Sequence, residues 1–172
     1  MGKQPTVEDT HMAKDKENKT NAMRIIEGAG IPFQTHSYES GGQAVDGVTV
    51  AGKLGKSPDE IYKTLVTKGS ARDPYVFVVP AAAELDLKKA AKAVGEKAVA
   101  MIPVADINKL TGYVRGGCSP VGMKKQYITV IHTAARQIPT ITVSAGRIGR
   151  QVELNAVDLA NLIGAKFEDI TR

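Results

Sequence analysis

Tyr75-Val76-Phe77-Val78-Val79-Pro80 is an unbroken apolar run. A continuous run of this length reads as a buried central strand. Upstream, Ile61-Tyr62-Lys63-Thr64-Leu65-Val66-Thr67-Lys68-Gly69 is rich in strand formers. It follows Ser57-Pro58-Asp59-Glu60, a helix-start pattern that becomes a single turn before a second strand. With a side-chain period of two, Tyr62, Thr64 and Val66 share one face, and Lys63, Leu65 and Thr67 share the other. Lys63 thus points the same way as Leu65. A lysine on an apolar wall either snorkels to water from the strand end or is held there for a purpose.

Further out, Thr20–Glu27 reads as a short helix ending at Gly28, Ile31–Tyr38 as a strand, and Ala44–Leu54 as a helix weakened by Gly47 and Gly52. Downstream, Asp86 caps a helix over Leu87–Val94, closed by Gly95. Ala98–Ile102 is a short strand and Val104–Leu110 a short helix. Ile128–Ile131, Ile141–Ser144 and Gln151–Leu154 are strands, the last two joined by a glycine-containing turn over Ala145–Arg150. Asn155 caps a closing helix, Ala156–Ile163, and Phe167–Ile170 adds an edge strand. Six or seven strands interleaved with short helices predict a single compact α/β domain. Its expected architecture is a mixed, curved or barrel-like sheet with flanking short helices, over residues 19–172. Residues 1–18 are polar and aperiodic and read as a disordered tail or a cloning leader, with His11-Met12 as a candidate junction.

The chain's chemistry concentrates in Gly112-Tyr113-Val114-Arg115-Gly116-Gly117-Cys118-Ser119-Pro120-Val121-Gly122-Met123-Lys124-Lys125. Four glycines and a proline describe a shaped loop, and three cations bias it towards anions. The chain of 172 residues carries a net charge of +5, with a pI near 9.3. Lys3, Lys14, Lys16 and Lys19 balance Glu8, Asp9, Asp15 and Glu17, so the excess belongs to the folded part. That excess fits either a polyanionic partner such as RNA or a solvated basic surface. A single cysteine rules out an internal disulfide framework. With no apolar stretch of membrane-spanning length, the expected setting is soluble and cytoplasmic.

Several site types are missing from the sequence. No Cys/His cluster has zinc spacing, and no Gly-x-Ser-x-Gly elbow, Walker loop or dinucleotide fingerprint occurs, so neither metal nor cofactor is expected. Cys118 is either a nucleophile with His36 or His132 as a distant base, or a small apolar filler, which a lone thiol in a tight loop more often is. His36 and His132 lie within strands and read as structural. Ser144, before a turn, either donates to a ligand or starts the turn.

Several blocks occur in order: Phe33-x-x-His36-x-Tyr38-Glu39, Tyr62-Lys63-Thr64-Leu65, Leu85-Asp86-Leu87-Lys88-Lys89, and Thr111-Gly112-Tyr113. Gly116-Gly117-x-Ser119-Pro120-x-Gly122-x-Lys124-Lys125, Val143-Ser144-x-Gly146 and Asp158-Leu159-Ala160 follow. Taken together, these blocks resemble the YbaK bacterial aminoacyl-tRNA deacylases, the group that clears Cys-tRNA(Pro). The resemblance implies the fold of the editing domain inserted in bacterial prolyl-tRNA synthetases. It implies that Lys63 is required for activity and that the loop from Gly116 to Pro120, with Gly117 and Ser119, positions the aminoacyl ester. It places Tyr38, Thr64, Ser144 and Gly146 in or beside the pocket. It also implies a reaction in which the substrate's cysteinyl thiol attacks its own ester. The implied substrate is the acceptor end of aminoacyl-tRNA and the implied partner is prolyl-tRNA synthetase. Other branches act on Ala or Ser esters, and an inactive module binding tRNA or the synthetase is the alternative of a different class. Asp46 stands where the YbaK branch often has Phe, and Gln151 where it often has Asp.

Overall fold

In the computed structural model, which describes residues 19–172, Tyr75–Pro80 forms β3 and every one of its residues is buried. Its neighbours are β2 (Tyr62–Lys68), antiparallel, and β5 (Thr129–His132), parallel. Phe77 and Val79 face one core, with Ala90 and Ala91 of the helix Leu87–Ala93. Val78 faces a second core on the other side. Both faces of β3 are therefore covered, which is why its sequence shows no apolar–polar alternation.

Five α-helices appear in chain order: α1 (Asn21–Gly28), α2 (Gly47–Leu54), α3 (Leu87–Ala93), α4 (Val104–Thr111) and α5 (Ala156–Ile163). Side-chain caps start four of them: Thr20 for α1, Asp46 for α2, Asp86 for α3 and Asn155 for α5. Asp46 was expected inside a helix from Ala44; it instead precedes the helix and caps it. The remaining strands are β1 (Gln34–Ser37), β4 (Ala100–Met101), β6 (Ile141–Arg147), β7 (Arg150–Leu154) and β8 (Lys166–Glu168). A 3-10 turn over Thr133–Gln137, unmarked by any periodicity, joins β5 towards β6.

The strands form two sheets rather than one: a five-stranded sheet in the order β4-β2-β3-β5-β8 and a three-stranded sheet in the order β1-β7-β6. The expected curved or barrel-like sheet is thus divided and does not close. The sheets meet at one isolated bridge, Ile61–Thr142, where the Thr142 amide donates to the Glu60 carbonyl at 2.9 Å. Beyond it the space between them is filled by Tyr62, Val78 and Ile131 from one sheet and Ile141, Val143, Val152 and Leu154 from the other. Met23 and Ile26 of α1 and Leu159 and Ile163 of α5 complete that core. No helix among the described residues is long and apolar enough to cross a membrane.

Candidate active site

The site begins where the chain enters β2. The Ser57 hydroxyl accepts from the Asp59 amide at 3.2 Å and the Ser57 carbonyl from the Glu60 amide at 3.0 Å, which makes the single turn that aims the strand. Two residues into the sheet edge, Lys63 lies opposite Val79. Its Nζ donates to the carbonyl of Ala81 at 3.2 Å. Burial pulls the Lys63 pKa below 10.5, while the more distant Glu84 opposes the shift. Among the described residues no carboxylate pairs with this ammonium, so the fold holds a half-buried cation on a single neutral acceptor.

The glycine-rich loop closes on itself. The Lys124 amide donates to the Thr111 carbonyl at 3.1 Å, and the Tyr113 hydroxyl crosses the loop to the Val121 carbonyl at 2.5 Å. Burial pushes the Tyr113 pKa up to about 12, which keeps the phenol a donor. Gly116 has φ +86°, and a Cβ there would lie 2.8 Å from the Cα of Ala44. A Cβ on Gly117 would lie 3.0 Å from the Ile148 nitrogen in the β6–β7 turn. The loop is wedged between the segment that precedes α2 and this turn. The Gly117 amide donates to Val114 at 2.9 Å; those of Gly116 and Cys118 have no acceptor among the described residues.

Loop, β2 and the three-stranded sheet enclose a cavity of about 350 Å³. Of the residues anticipated from the sequence, Tyr38, Lys63, Thr64, Gly116 and Ser144 line it. Gly117, Ser119, Pro120 and Gly146 do not. Gly117, Ser119 and Pro120 are buried inside the loop, where the Ser119 hydroxyl accepts from the Val121 amide at 3.2 Å. Gly146, at φ +99°, sits at a bulge in β6 against the Tyr113 ring, 2.9 Å from where its Cβ would be. These four shape the walls from behind. The Ser144 hydroxyl does two things: it lines the cavity and accepts from the Gly146 amide at 3.2 Å.

The Tyr38 hydroxyl and the Thr64 hydroxyl are both buried and have no protein partner among the described residues. Buried polar atoms are nearly always paired, so two orphans on residues that line one cavity mark positions for a ligand's polar atoms. Asp46, Arg115, Cys118 and Gln151 also line the cavity, as does Ala81. The role of Ala81 was invisible in the sequence: its carbonyl reaches Lys63 only because β2 and β3 pair Tyr62 with Pro80.

Burial pushes the Cys118 thiol up to about 11, with a hydrogen bond to Thr111 opposing. It stays protonated near neutrality, which suits a filler and not a nucleophile. Neither anticipated distant base lines the cavity. His36 Nε2 lies 2.8 Å from Glu153 Oε1, and His132 Nδ1 accepts from the Ile170 amide at 3.3 Å. The cavity therefore offers a cation, free loop amides and unpaired hydroxyls, with no base held against a nucleophile.

The sequence profile of the aminoacyl-tRNA editing domain matches residues 43–162, which include Lys63 and the whole loop. The chain belongs to the aminoacyl-tRNA editing domain family. A curated relative of this editing domain is EbsC of Enterococcus faecalis (strain ATCC 700802 / V583), a protein assigned as a Cys-tRNA(Pro)/Cys-tRNA(Cys) deacylase. The two are 44% identical over 93% of this chain and 98% of the relative. Two solved structures share the editing-domain fold at lower identity. One is the hypothetical protein APE2540, with a TM-score of 0.78 and 23% identity over 87% of this chain and 97% of the other. The second is a protein assigned as a trans-editing enzyme for prolyl tRNA synthetase, with a TM-score of 0.76 and 22% identity over 89% of this chain and 98% of the other.

Proposed function

We propose that this editing domain is a free-standing, trans-acting enzyme that removes the amino acid from mischarged aminoacyl-tRNA, with Cys-tRNA(Pro) the preferred substrate. One observation carries the reading. A half-buried, unpaired Lys63 ammonium, two acceptor-free loop amides and two orphaned hydroxyls border one cavity, in a chain 44% identical to a protein assigned as a Cys-tRNA deacylase. In this reading Lys63 holds the phosphate or polarises the ester region at the tRNA terminus. The Gly116 and Cys118 amides stabilise the charge that develops on the ester carbonyl oxygen. Tyr38, Thr64 and Ser144 orient the ribose and the aminoacyl group. Gly117, Ser119, Pro120 and Gly146 act one layer back, by holding the loop in shape.

With a cysteinyl ester the substrate supplies its own nucleophile. The thiol sulfur bonds to the ester carbonyl carbon, the carbon–oxygen bond to the ribose breaks, and the thiol proton ends on the ribose oxygen. The amino acid leaves as a strained small-ring thiolactone, which water opens. The protein contributes orientation and charge stabilisation, consistent with a cavity in which no base is placed against a nucleophile. The small domain offers little surface for reading a tRNA, so prolyl-tRNA synthetase is the proposed partner and the cytoplasm the proposed setting. The basic excess supplies salt-dependent, sequence-blind attraction.

Deacylation of tRNA(Pro) charged with Cys, Ser or Ala, with and without the synthetase, tests this. Cys-tRNA(Pro) is expected to be cleaved far faster than the other two. Equal rates with Cys and Ser would replace the thiol step by water attack. Tight tRNA binding with no cleavage of any ester would leave a binding module.

A further inference from the structure

The cavity has one acidic wall residue, Asp46, beside two cations, Lys63 and Arg115. In a chain of net charge +5, a carboxylate lining the same cavity as two cations would ordinarily pair with one of them. Asp46 does not: among the described residues both of its side-chain hydrogen bonds go to Thr49. Oδ1 accepts from the Thr49 amide at 2.9 Å and Oδ2 from the Thr49 hydroxyl at 2.7 Å. Those two bonds hold the carboxylate below its ordinary pKa, so it is ionised at neutral pH. They also fix its direction. A carboxylate has about four acceptor positions, so about two remain for a ligand. The same cavity is lined by the features assigned above to the tRNA end, namely Lys63 and Gly116.

An aminoacyl ester carries a cation of its own, the free α-ammonium, one carbon from the reacting carbonyl. We propose that Asp46 is a specificity-determining residue that binds this α-ammonium, so that the enzyme selects esters with a free amino group over N-blocked or deaminated ones. The inference rests on the deacylase reading and adds to it which substrates are admitted. Asp46 adds a fixed anion to a cavity whose fixed cation, Lys63, is assigned to the tRNA end.

Asp46→Asn separates this role from helix capping, because Asn caps as well as Asp while carrying no charge. The probes are Cys-tRNA(Pro), its N-acetyl form, and the ester of 2-hydroxy-3-mercaptopropionate, which replaces the ammonium by a hydroxyl without added bulk. All three retain the thiol. The native enzyme is expected to favour Cys-tRNA(Pro) over the hydroxy ester by roughly tenfold in kcat/KM, the scale of one charge-assisted hydrogen bond. Asp46→Asn should lower Cys-tRNA(Pro) to the level of the hydroxy ester, mainly through KM, and leave the hydroxy ester unchanged. Rejection of the N-acetyl ester alone would be steric and would overturn the assignment. So would equal slowing of all three esters by Asp46→Asn, which would mark a structural role. If the native enzyme cleaves none of the three, the deacylase reading fails and this inference falls with it. Native cleavage of Cys-tRNA(Pro) and its hydroxy analogue at equal rates would overturn the inference alone.

Discussion

Lys63 is the residue where fold and chemistry pull in opposite directions. Burial lowers its pKa, so the folded state disfavours the very charge that the proposed reaction calls for. The sign follows: below the lowered pKa the folded chain carries a buried ammonium that the unfolded chain would hydrate, and the native state is weakened. Lys63→Met keeps the volume and removes that charge. Its Tm is expected to be unchanged or raised, offset only by the lost bond to the Ala81 carbonyl. Deacylation should fall roughly a hundredfold or more, the usual cost of removing a preorganised charge-stabilising group. A large fall in Tm would show instead that Lys63 is there for stability. Cys118 has the opposite character: it looks reactive, but burial keeps it a thiol.

At the scale of elements, the loop works because it is wedged between two others. Gly116→Ala adds a Cβ 2.8 Å from the Ala44 backbone at φ +86°. It should cost about 1–3 kcal/mol and lower activity more than that loss of folded protein accounts for, because the loop amides shift. Denaturant melts and kcat measured on the same sample check both parts. The elements themselves were largely legible. Asp86 and Asn155 announce two helices through their caps, while Thr20, expected as the first residue of its helix, caps it instead; the apolar run of β3 announces the sheet centre. The loop was legible as shaped, and Lys63 as out of place among its neighbours. What the sequence hid was depth. Ser119 and Arg115 are both polar loop residues, yet Ser119 is 0% exposed and folded back on Val121, while Arg115 reaches the cavity. Local pattern does not say which side of a tight loop faces a cavity. The division into two sheets was hidden for a similar reason, since it depends on one bridge between Ile61 and Thr142.

For the whole molecule, the sheet behind the site is tied to the rest through Glu153 on β7. It accepts from His36 Nε2 at 2.8 Å, from Thr140 Oγ1 at 2.6 Å and from Lys56 Nζ at 2.9 Å. Burial alone would raise its pKa, but the hydrogen bonds from Thr140, Lys56 and His36 together win and lower it to about 2. A carboxyl whose pKa is depressed on folding stabilises the protein above its ordinary pKa and loses that contribution as pH falls towards the folded value. Stability is therefore expected to decline between about pH 4.5 and 2, by up to about 3 kcal/mol from this group. Urea melts across that range should show the decline, and Glu153→Gln, less stable at neutral pH, should flatten it. The same contact has a consequence in time. His36 and Glu153 are 117 residues apart, so β1 is made early on the ribosome and must wait for nearly all the chain before its partner strand exists. Pairing over such a span is slow, and until it forms the core between the sheets lacks a wall. The nascent chain therefore passes through a stage in which the strand that carries Lys63 can already be paired while the pocket is still open to other chains.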